Sequence, residues 1–440
     1  MKNHRPSKQD PRTVDLLIHS ADQLLTLRGG VQRGSRLGDL GVIVDGAVAI
    51  QGERIVAVDR TAPILARYRS EVTLDARGTV VLPGFVDPHT HLVWAGDRAA
   101  EFEQRVAGAS YMEIMRAGGG IVSTVRNTRQ ASLEDLVESG RSRAMRMLQY
   151  GTTTAEAKTG YGLEFETELK LLQSILRLED DTPIDLIPTF LGAHAIPPEF
   201  QTDGSGGAEA YSELVAHEML PALLNWWREN ASDRPLPFVD VFCEEGAFSL
   251  DQSRTILESG KKLGFPLKIH ADEFEGLGGT GLAVSMGAVS ADHLVQTPPE
   301  DIDALGNGDT VAVALPCTPF GLAEREFTPA GDIIAADGIL AIATDLNPGT
   351  AWCESMQMAI ALATRYMSIT PGQAIAAATI NAAAAIGLAD RVGSLEAGKQ
   401  ADMILLDIPD YRHLGYRFGT NLVSKVVKRG QIVEFQPQDR

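Results

Sequence analysis

The sequence predicts an α/β fold: a (β/α)8 barrel of the TIM type with a small composite β-sandwich domain built from both termini. Three observations support this. Short apolar runs alternate with amphipathic helical stretches from Val80 to about Leu388, as in parallel strands joined by helices. Strand-and-turn sequence precedes this region, from Val14 to about Gly78, and returns from Ala401. The 440 residues suffice for a barrel and an accessory domain.

Eight largely apolar runs in the central segment are predicted to be the barrel strands, because helix-like sequence follows each of them. They are Val81–Asp87, Thr152–Lys158, Asp185–Gly192, Val239–Glu244, Leu267–Ala271, Ala288–His293, Val311–Pro316 and Leu340–Asp345. We therefore assign residues 80–389 to a (β/α)8 barrel.

The two ends of the chain contain short strands and no long helical period. The predicted strands are Asp15–Leu27, Gly41–Ile50, Arg54–Asp59, Ala401–Asp407 and Leu422–Glu434. We predict that residues 13–79 and 390–436 form one composite β-sandwich domain beside the barrel. Residues 1–12 are polar and contain proline, which is typical of a disordered tail rather than a signal peptide.

The charge balance limits the classes of partner. The formal net charge is −19, and a surface that acidic repels phosphate backbones and anionic membranes. We expect a small-molecule substrate and neither a nucleic-acid nor a membrane partner. If the substrate is an anion, local cations must attract it against the field of the whole protein.

The cysteine pattern points to a reducing compartment. Cys243, Cys317 and Cys353 are scattered, odd in number and without a C-x-x-C pair, so reduced thiols are favoured over disulfides or a cysteine zinc site. No apolar run reaches the length of a membrane span. These features predict a cytoplasmic protein.

Histidine and aspartate side chains stand where barrel strands end, the position of catalytic groups in this fold. His89 and His91 follow the first predicted strand, His270 lies near the end of the fifth, and Asp345 ends the eighth. His89 and His91 share one face of an extended segment, so both rings can reach one ion. Three nitrogen ligands and one carboxylate suit zinc or iron better than calcium or magnesium. The alternative is hydrogen-bonded structural histidines and a helix-capping aspartate.

The segment P-G-F-V-D-P-H-T-H at residues 83–91, with His270, His293 and Asp345, resembles the amidohydrolase superfamily. The resemblance implies a metal-dependent hydrolase of carbon–nitrogen bonds. It also implies one metal ion per subunit, zinc or iron. Two-metal members bridge their ions with a carboxylated lysine on the fourth strand, where this chain has Cys243-Glu244-Glu245.

More specific motifs resemble one branch of that superfamily, over the chain from about Asp15 to Val433. They are A-G-D-R at 95–98, A-G-G-G-I at 117–121, K-T-G-Y-G-L at 158–163 and D-L-N-P-G-T at 345–350. Members of the branch are homodimers that hydrolyse the cyclic amide of 4-imidazolone-5-propanoate (imidazolone propionate) in histidine degradation. A metal-bound hydroxide attacks the ring, and the product is N-formimidoyl-L-glutamate. This function is the one that the resemblance implies for the chain.

Two other functions remain open at this point. A purine or pyrimidine aminohydrolase (deaminase) of the same superfamily would use the same metal ligands, but it would release ammonia. A non-catalytic scaffold descended from such an enzyme is the second alternative, and the intact ligand set argues against it.

The resemblance also implies a set of substrate-binding residues. They are Arg98, Tyr161, His194, Glu273, Asn347, Gly349 and Thr350. A guanidinium such as that of Arg98 suits a propionate carboxylate, because its fork donates paired hydrogen bonds. The alternative for Arg98 is a surface ion pair with Glu101 or Glu103.

Three catalytic residues are expected near the metal. Glu273 is the candidate for moving protons between the attacking water and the ring nitrogen, and His293 for a hydrogen bond to that water. His194 or His293 would stabilise the oxyanion. Asp272 is a weaker alternative to Glu273, because adjacent extended residues point to opposite sides.

Overall fold

An eight-stranded parallel barrel and a second eight-stranded sheet make up most of the β-structure in this computed structural model, which describes residues 10–108, 119–201 and 206–435. Within these ranges eight parallel strands follow one another in sequence order, which confirms the predicted barrel. The first to eighth barrel strands are Phe85–Asp87, Thr152–Lys158, Asp185–Ala193, Phe238–Cys243, Lys268–Ala271, Ser290–His293, Val311–Ala314 and Ile339–Ile342. Every residue of the second strand is buried, as expected where helices cover a parallel sheet.

Helices fill the connections between the barrel strands and continue beyond the eighth. They are Ala99–Val106, Ile121–Gln130, Leu133–Gln149, Phe165–Asp181, Gly206–Leu214, Leu220–Asn230, Leu250–Leu263, Gly279–Met286, Pro299–Asn307, Cys317–Leu322, Ala330–Ala335, Met356–Tyr366, Pro371–Ala377, Ile380–Ala385 and His413–Tyr416, with a π-helical turn Val215–Met219 and 3-10 turns Gly34–Arg36 and Pro198–Phe200. Ser132 begins one of them with a reciprocal capping box to Asp135, which satisfies two orphan donors of the first turn. None of the helices in the described ranges combines the length and apolar character of a membrane span.

The second sheet is composite, as predicted, because it joins strands from both ends of the chain. Its strand order is Gln431–Ile432, Val423–Lys428, Met403–Leu406, Val80–Pro83, Leu16–Leu25, Val42–Gln51 and Arg54–Arg60, with Thr73–Asp75 also paired to Leu16–Leu25. Apolar side chains are buried on both of its faces, with Leu16 and Ile18 in one cluster and Leu17 in another. This alternation is the period-2 pattern of a strand.

The prediction of a single strand over Val81–Asp87 is wrong. Val80–Pro83 pairs antiparallel with Met403–Leu406 in the terminal sheet, whereas Phe85–Asp87 pairs with the second barrel strand. Gly84 lies between them, and a Cβ there would stand 2.2 Å from Thr153 Oγ1. Only glycine allows this close approach. The sheets therefore change at Gly84, and we propose this residue as the domain boundary in place of 79/80.

The N-terminal part also differs in two details from the all-β unit with a free tail that we predicted. A short helix, Thr61–Arg67, follows the strand Arg54–Arg60. Of the proposed tail 1–12, residues 1–9 lie outside the described residues, but Arg12–Thr13 pairs in parallel with Tyr68–Arg69. The remaining domain limits stay proposals.

Replacement of Gly84 by alanine tests the change of sheet. We expect Gly84→Ala to lower the free energy of unfolding by about 1–3 kcal/mol, the cost of overpacking a dense interior. Gly331→Ala is the matched control, because Gly331 is an exposed helical glycine at which an added Cβ would meet nothing within 4 Å, and helix propensity there favours alanine. Equal denaturant midpoints for Gly84→Ala and the parent chain would contradict this account.

Candidate metal centre and active site

The ends of the first and eighth barrel strands are joined by hydrogen bonds that bring distant parts of the sequence together. The Asp87 carboxylate accepts from Thr344 N at 3.1 Å and Thr344 Oγ1 at 2.5 Å. Asp345 N donates to His89 O at 3.1 Å, and His91 N donates to Leu346 O at 2.8 Å. The carboxyl side chain of Asp345 and the two histidines therefore reach the same point of the barrel mouth.

Three of the predicted ligands form a tight cluster of imidazoles. Nitrogens of His89, His91 and His270, one from each ring, lie within 4.8 Å of one another, and the rings are 0–3% exposed. Asp345 Oδ1 lies 3.5 Å from His89 Nε2 and 3.7 Å from His91 Nε2. The structure therefore brings together all four residues that the sequence indicated.

The hydrogen-bond state of these rings fits a metal ion. Nε2 of His89 and Nε2 of His270 are buried, and no described residue hydrogen-bonds to them. Buried nitrogens without partners cost free energy, and coordination would supply the missing partner. Burial also lowers the pKa of His89 and His91 well below the ordinary value, so both rings are neutral and keep a lone pair for a metal.

Two carboxylates lie beneath the candidate ligand rings. Asp292 Oδ2 hydrogen-bonds to His89 Nδ1 at 2.7 Å, and such a partner fixes the ring orientation and tautomer of a metal-ligating histidine. Asp240 Oδ2 lies 3.0 Å from His270 Nδ1, close to that ring but without the geometry of a hydrogen bond. Sequence reasoning gave neither aspartate a role. The signal that could have found them was a charged residue inside a strand of an otherwise buried parallel sheet, where a charge needs a partner.

A second group of rings lies beside the ligands. The His194 ring stacks on the His91 ring, with centroids 4.8 Å apart and planes inclined by 14°. The ring centroid of Tyr161 lies 5.4 Å from that of His194. His194 Nδ1 is 3.0 Å from Gly160 O. Since a carbonyl can only accept, Nδ1 carries the proton, and Nε2 of the neutral ring is an acceptor. Burial lowers the pKa of His194 to about 3, which agrees with the neutral form.

The loop that carries Tyr161 is held by one buried carboxylate. Backbone N–H groups of Gly160, Gly162 and Leu163 donate to the two oxygens of Glu168 at 2.6–2.8 Å. Glu168 is fully buried on the helix Phe165–Asp181. These hydrogen bonds hold the loop that follows Lys158 in the K-T-G-Y-G-L motif.

Glu273 and Asp272 have different surroundings, although they are adjacent. Glu273 Oε2 lies 3.5 Å from His293 Nδ1 in the active-site cavity. Asp272 instead accepts from Gly278 N, Thr280 N and Thr280 Oγ1, where it caps the helix Gly279–Met286. Burial and the charge of Asp345 raise the pKa of Glu273 well above the ordinary value.

A cavity of about 650 Å³ opens above the ligand cluster. All the predicted substrate-binding residues line it: Arg98, Tyr161, His194, Glu273, Asn347, Gly349 and Thr350. His293, one of the predicted catalytic residues, lines it too. The volume is in the usual range for a small-molecule site.

Arg98 forms an ion pair with Glu101 and also lines the cavity. Its Nε donates to Glu101 Oε2 at 2.8 Å, but the two side chains are only 18% and 17% exposed and face the cavity. The same Glu101 oxygen accepts from Gly120 N at 3.0 Å. A Cβ at Gly349 would lie 2.4 Å from Arg98 Nη1, so this guanidinium packs against the D-L-N-P-G-T loop. Residues 117–118 of the A-G-G-G-I motif lie outside the described residues.

Asn347 organises the loop after the eighth strand. Its Oδ1 accepts from Gly349 N at 2.7 Å and from Thr350 N at 2.8 Å, while its Nδ2 donates to Asp345 O at 2.7 Å. The backbone of Asp345 has a positive φ of 53°, a conformation that costs free energy in a non-glycine residue. The Asn347 side chain thus holds the loop in the shape that directs Asp345 to the histidines.

Comparison with known proteins agrees with this architecture. A model of the amidohydrolase family matches residues 80–433. Among solved structures, an adenosine deaminase from Xanthomonas campestris with bound zinc superposes with a TM-score of 0.66 at 20% identity, covering 96% of this chain and 93% of that one. Guanine deaminase from E. coli gives 0.69 at 14% identity, covering 96% and 99%. At these identities the likeness shows the fold alone.

Curated relatives are much more similar. A protein named imidazolonepropionase from Herpetosiphon aurantiacus is 52% identical over 420 residues, 96% of this chain and 97% of the relative. One of the same name from Symbiobacterium thermophilum is 46% identical over 425 residues, 96% and 98%. The fold and the site define a metal-dependent hydrolase of carbon–nitrogen bonds. Within that class, the chain belongs to the imidazolonepropionase family of amidohydrolases.

Proposed function

We propose that the chain hydrolyses the cyclic amide of imidazolone propionate to N-formimidoyl-L-glutamate, a step of histidine degradation. The observation that carries the proposal is the pairing of two features in one cavity. A His₃Asp cluster able to hold a metal lies at its floor, and Arg98 lies beside the D-L-N-P-G-T loop at its wall. The near full-length similarity to relatives named imidazolonepropionase supports the same substrate.

We place one metal ion, zinc or iron, on His89, His91, His270 and Asp345. When bound, the ion supplies a Lewis acid that activates water and polarises the ring carbonyl. His89, Glu156 and Asp292 also lie close enough together to hold an ion, but the contacts around this second cluster support a single metal ion. The Nζ of Lys158 lies 2.9 Å from Glu156 Oε1 and 3.5 Å from Asp292 Oδ2, so that space already holds a cation.

The reaction requires a proton to move from the attacking water to the ring nitrogen. Water adds to the carbonyl carbon, the adjacent C–N bond breaks, and the nitrogen takes the proton that the water gives up. Glu273 is the carrier that we propose, because its carboxyl group lines the cavity and its raised pKa suits a group that takes up and returns a proton. His293, 3.5 Å away, orients that carboxyl group and can accept from the water.

The role that we assign to His194 differs from the oxyanion stabilisation considered from sequence. With its proton on Nδ1, the ring offers an acceptor to the cavity and no donor for an oxyanion. We therefore propose that His194 Nε2 accepts a hydrogen bond from a substrate ring N–H. Tyr161 packs against the same rings, and Asn347, Gly349 and Thr350 form the remaining wall.

Other aspects of the proposal rest on the family. We expect a homodimer, a cytoplasmic location, and no nucleic-acid or membrane partner. The three free cysteines are compatible with a reducing compartment. The alternative function is an aminohydrolase acting on a purine or pyrimidine, since such an enzyme would use the same metal ligands.

The proposed function is tested with freshly generated imidazolone propionate. The absorbance of the ring should disappear on addition of metal-loaded protein, without release of ammonia. Ammonia formation from guanine or adenosine, with no loss of imidazolone propionate, would favour the aminohydrolase instead.

The ligand assignment predicts that Asp345→Ala and His89→Ala each abolish turnover together with metal binding. A site that loses one of four ligands neither retains nor polarises its ion properly. Metal content by elemental analysis and initial rates are measured on the same preparations. Full activity in a metal-depleted sample would contradict the assignment.

Arg98→Ala should raise KM strongly and alter kcat less. Removing the partner of a desolvated carboxylate costs about 2–5 kcal/mol. Arg141→Ala is the matched control, since Arg141 forms a 2.8 Å pair with Asp181 outside the cavity. An unchanged KM in Arg98→Ala would mean that Arg98 does not bind the substrate and only forms a structural ion pair with Glu101.

Glu273→Gln should lower kcat by about 10²–10⁴-fold, the usual contribution of an acid–base group, and leave metal content intact. Asp272→Asn keeps the shape of its side chain but weakens the helix cap. We expect near-normal kcat and a loss of about 1–3 kcal/mol in unfolding free energy. If Asp272→Asn lowered kcat strongly while Glu273→Gln kept a normal kcat, the roles assigned to the two residues would have to be exchanged.

A further inference from the structure

Five charged side chains lie inside the barrel beneath the ligand histidines, and the proposed reaction uses none of them directly. They are Glu156, Lys158, Asp240, Lys268 and Asp292, each with 0–1% of its surface exposed. They come from the second, fourth, fifth and sixth barrel strands. Burying five charges is costly unless each is paired, so their arrangement requires an explanation.

Lys158 bridges the carboxylates of three strands. Its Nζ lies 2.7 Å from Asp240 Oδ2, 2.9 Å from Glu156 Oε1 and 3.5 Å from Asp292 Oδ2. Burial alone disfavours the ammonium form, but the three negative charges outweigh it and raise the pKa of Lys158 above the ordinary lysine value. The side chain is therefore a fixed cation.

Lys268 supplies the second ammonium group. Its Nζ lies 2.9 Å from Glu156 Oε2 and 3.7 Å from Asp292 Oδ2, and it donates to Pro88 O at 2.8 Å. Pro88 immediately precedes the ligand His89. Lys268 thus contacts both the backbone that delivers His89 and the carboxylate that orients its ring.

Each lysine reaches a metal ligand through one intervening carboxylate. Lys158 contacts Asp240, whose Oδ2 faces His270 Nδ1 at 3.0 Å. Asp292 Oδ2, near both ammonium groups, faces His89 Nδ1 at 2.7 Å. Both histidines thereby present Nε2 to the cluster.

The two lysines occupy a region of the barrel interior that could otherwise hold a second metal ion. His89, Glu156 and Asp292 offer ligand atoms close enough to hold an ion, yet the ammonium groups of Lys158 and Lys268 already contact the same carboxylates. Two protein cations therefore stand where a further metal ion would otherwise balance the negative charge.

We propose that Lys158 and Lys268 are positioning residues of the metal centre. They hold the carboxylates of Asp240 and Asp292, a task that a second metal ion would otherwise perform, and so orient His270 and His89 for the single ion. The proposal rests on the proposed function only in requiring that the His₃Asp cluster binds a metal.

The test measures metal binding rather than turnover. Metal-free full-length protein is titrated with Zn²⁺ against a chelating dye, and Co²⁺ absorption reports the ligand geometry. Lys158→Met should weaken Zn²⁺ binding about 10–100-fold, the usual effect of losing an outer-shell partner, and change the Co²⁺ spectrum. Circular dichroism gives the folded fraction, so that affinity is compared per folded molecule.

Lys428→Met is the matched control. Lys428 is also a buried lysine between two aspartates, 2.8 Å from Asp185 and 2.6 Å from Asp402, but both aspartates lie away from the metal cluster. Its loss should lower thermal stability and leave Zn²⁺ affinity and the Co²⁺ spectrum unchanged. A purely structural role for Lys158 would give the same result as this control and would overturn the proposal.

A double-mutant cycle tests the route through Asp240. If Lys158 acts through that carboxylate, Lys158→Met and Asp240→Asn should be non-additive in Zn²⁺ affinity, and additive losses would overturn the route. Lys268→Met carries the same affinity test if Lys158→Met does not fold. Failure of the parent protein to bind either Zn²⁺ or Fe²⁺ would instead refute the proposed function, which keeps the two failures distinct.

Discussion

The site depends on how the first and eighth barrel strands meet. Pairing through the sheet runs from the first strand to the eighth in sequence order, and the final junction is made by the Asp87 carboxylate on Thr344 together with backbone bonds between residues 89–91 and 345–346. Ligands some 250 positions apart meet because this junction fixes their separation. Asp87 is fully buried at this junction, and its loss of solvent raises its pKa to about 7.

The floor and the wall of the cavity are built on different principles. The floor consists of imidazoles at the ends of barrel strands, two of which lie against buried carboxylates, so it has little freedom to relax. The wall consists of loops, and its principal guanidinium, that of Arg98, is already engaged by Glu101. In a protein with a net charge of −19, this pairing leaves a partly compensated cation at the cavity, where the proposed function needs a partner for a carboxylate.

Sequence alone was sufficient for the barrel, the composite sheet and the four-residue cluster, because strand ends in this fold converge whatever the strand boundaries are. It failed at Gly84, where one apolar run serves two sheets and only the Pro83-Gly84 dipeptide marks the change of partner. It also gave no role to Asp240 and Asp292, because a periodicity argument treats a polar residue in a buried strand as noise. The sequence distinguished the roles of Asp272 and Glu273 only by the alternation of side chains in an extended segment. The helix N-terminus that donates to the Asp272 carboxylate is brought there by the tertiary fold, which the sequence does not reveal.

The composite sheet has a consequence for the order of folding during synthesis. Val80–Pro83 is translated early, but its antiparallel partner Met403–Leu406 appears some 320 residues later. At about 5–20 residues per second this gap lasts roughly 20–60 s. Throughout that interval the strand presents one unpaired edge of backbone donors and acceptors, a surface prone to intermolecular pairing. Pairing with Met403–Leu406 therefore also covers the edge at which the nascent protein could aggregate. We expect C-terminal truncations that remove this strand to aggregate rather than merely lose activity.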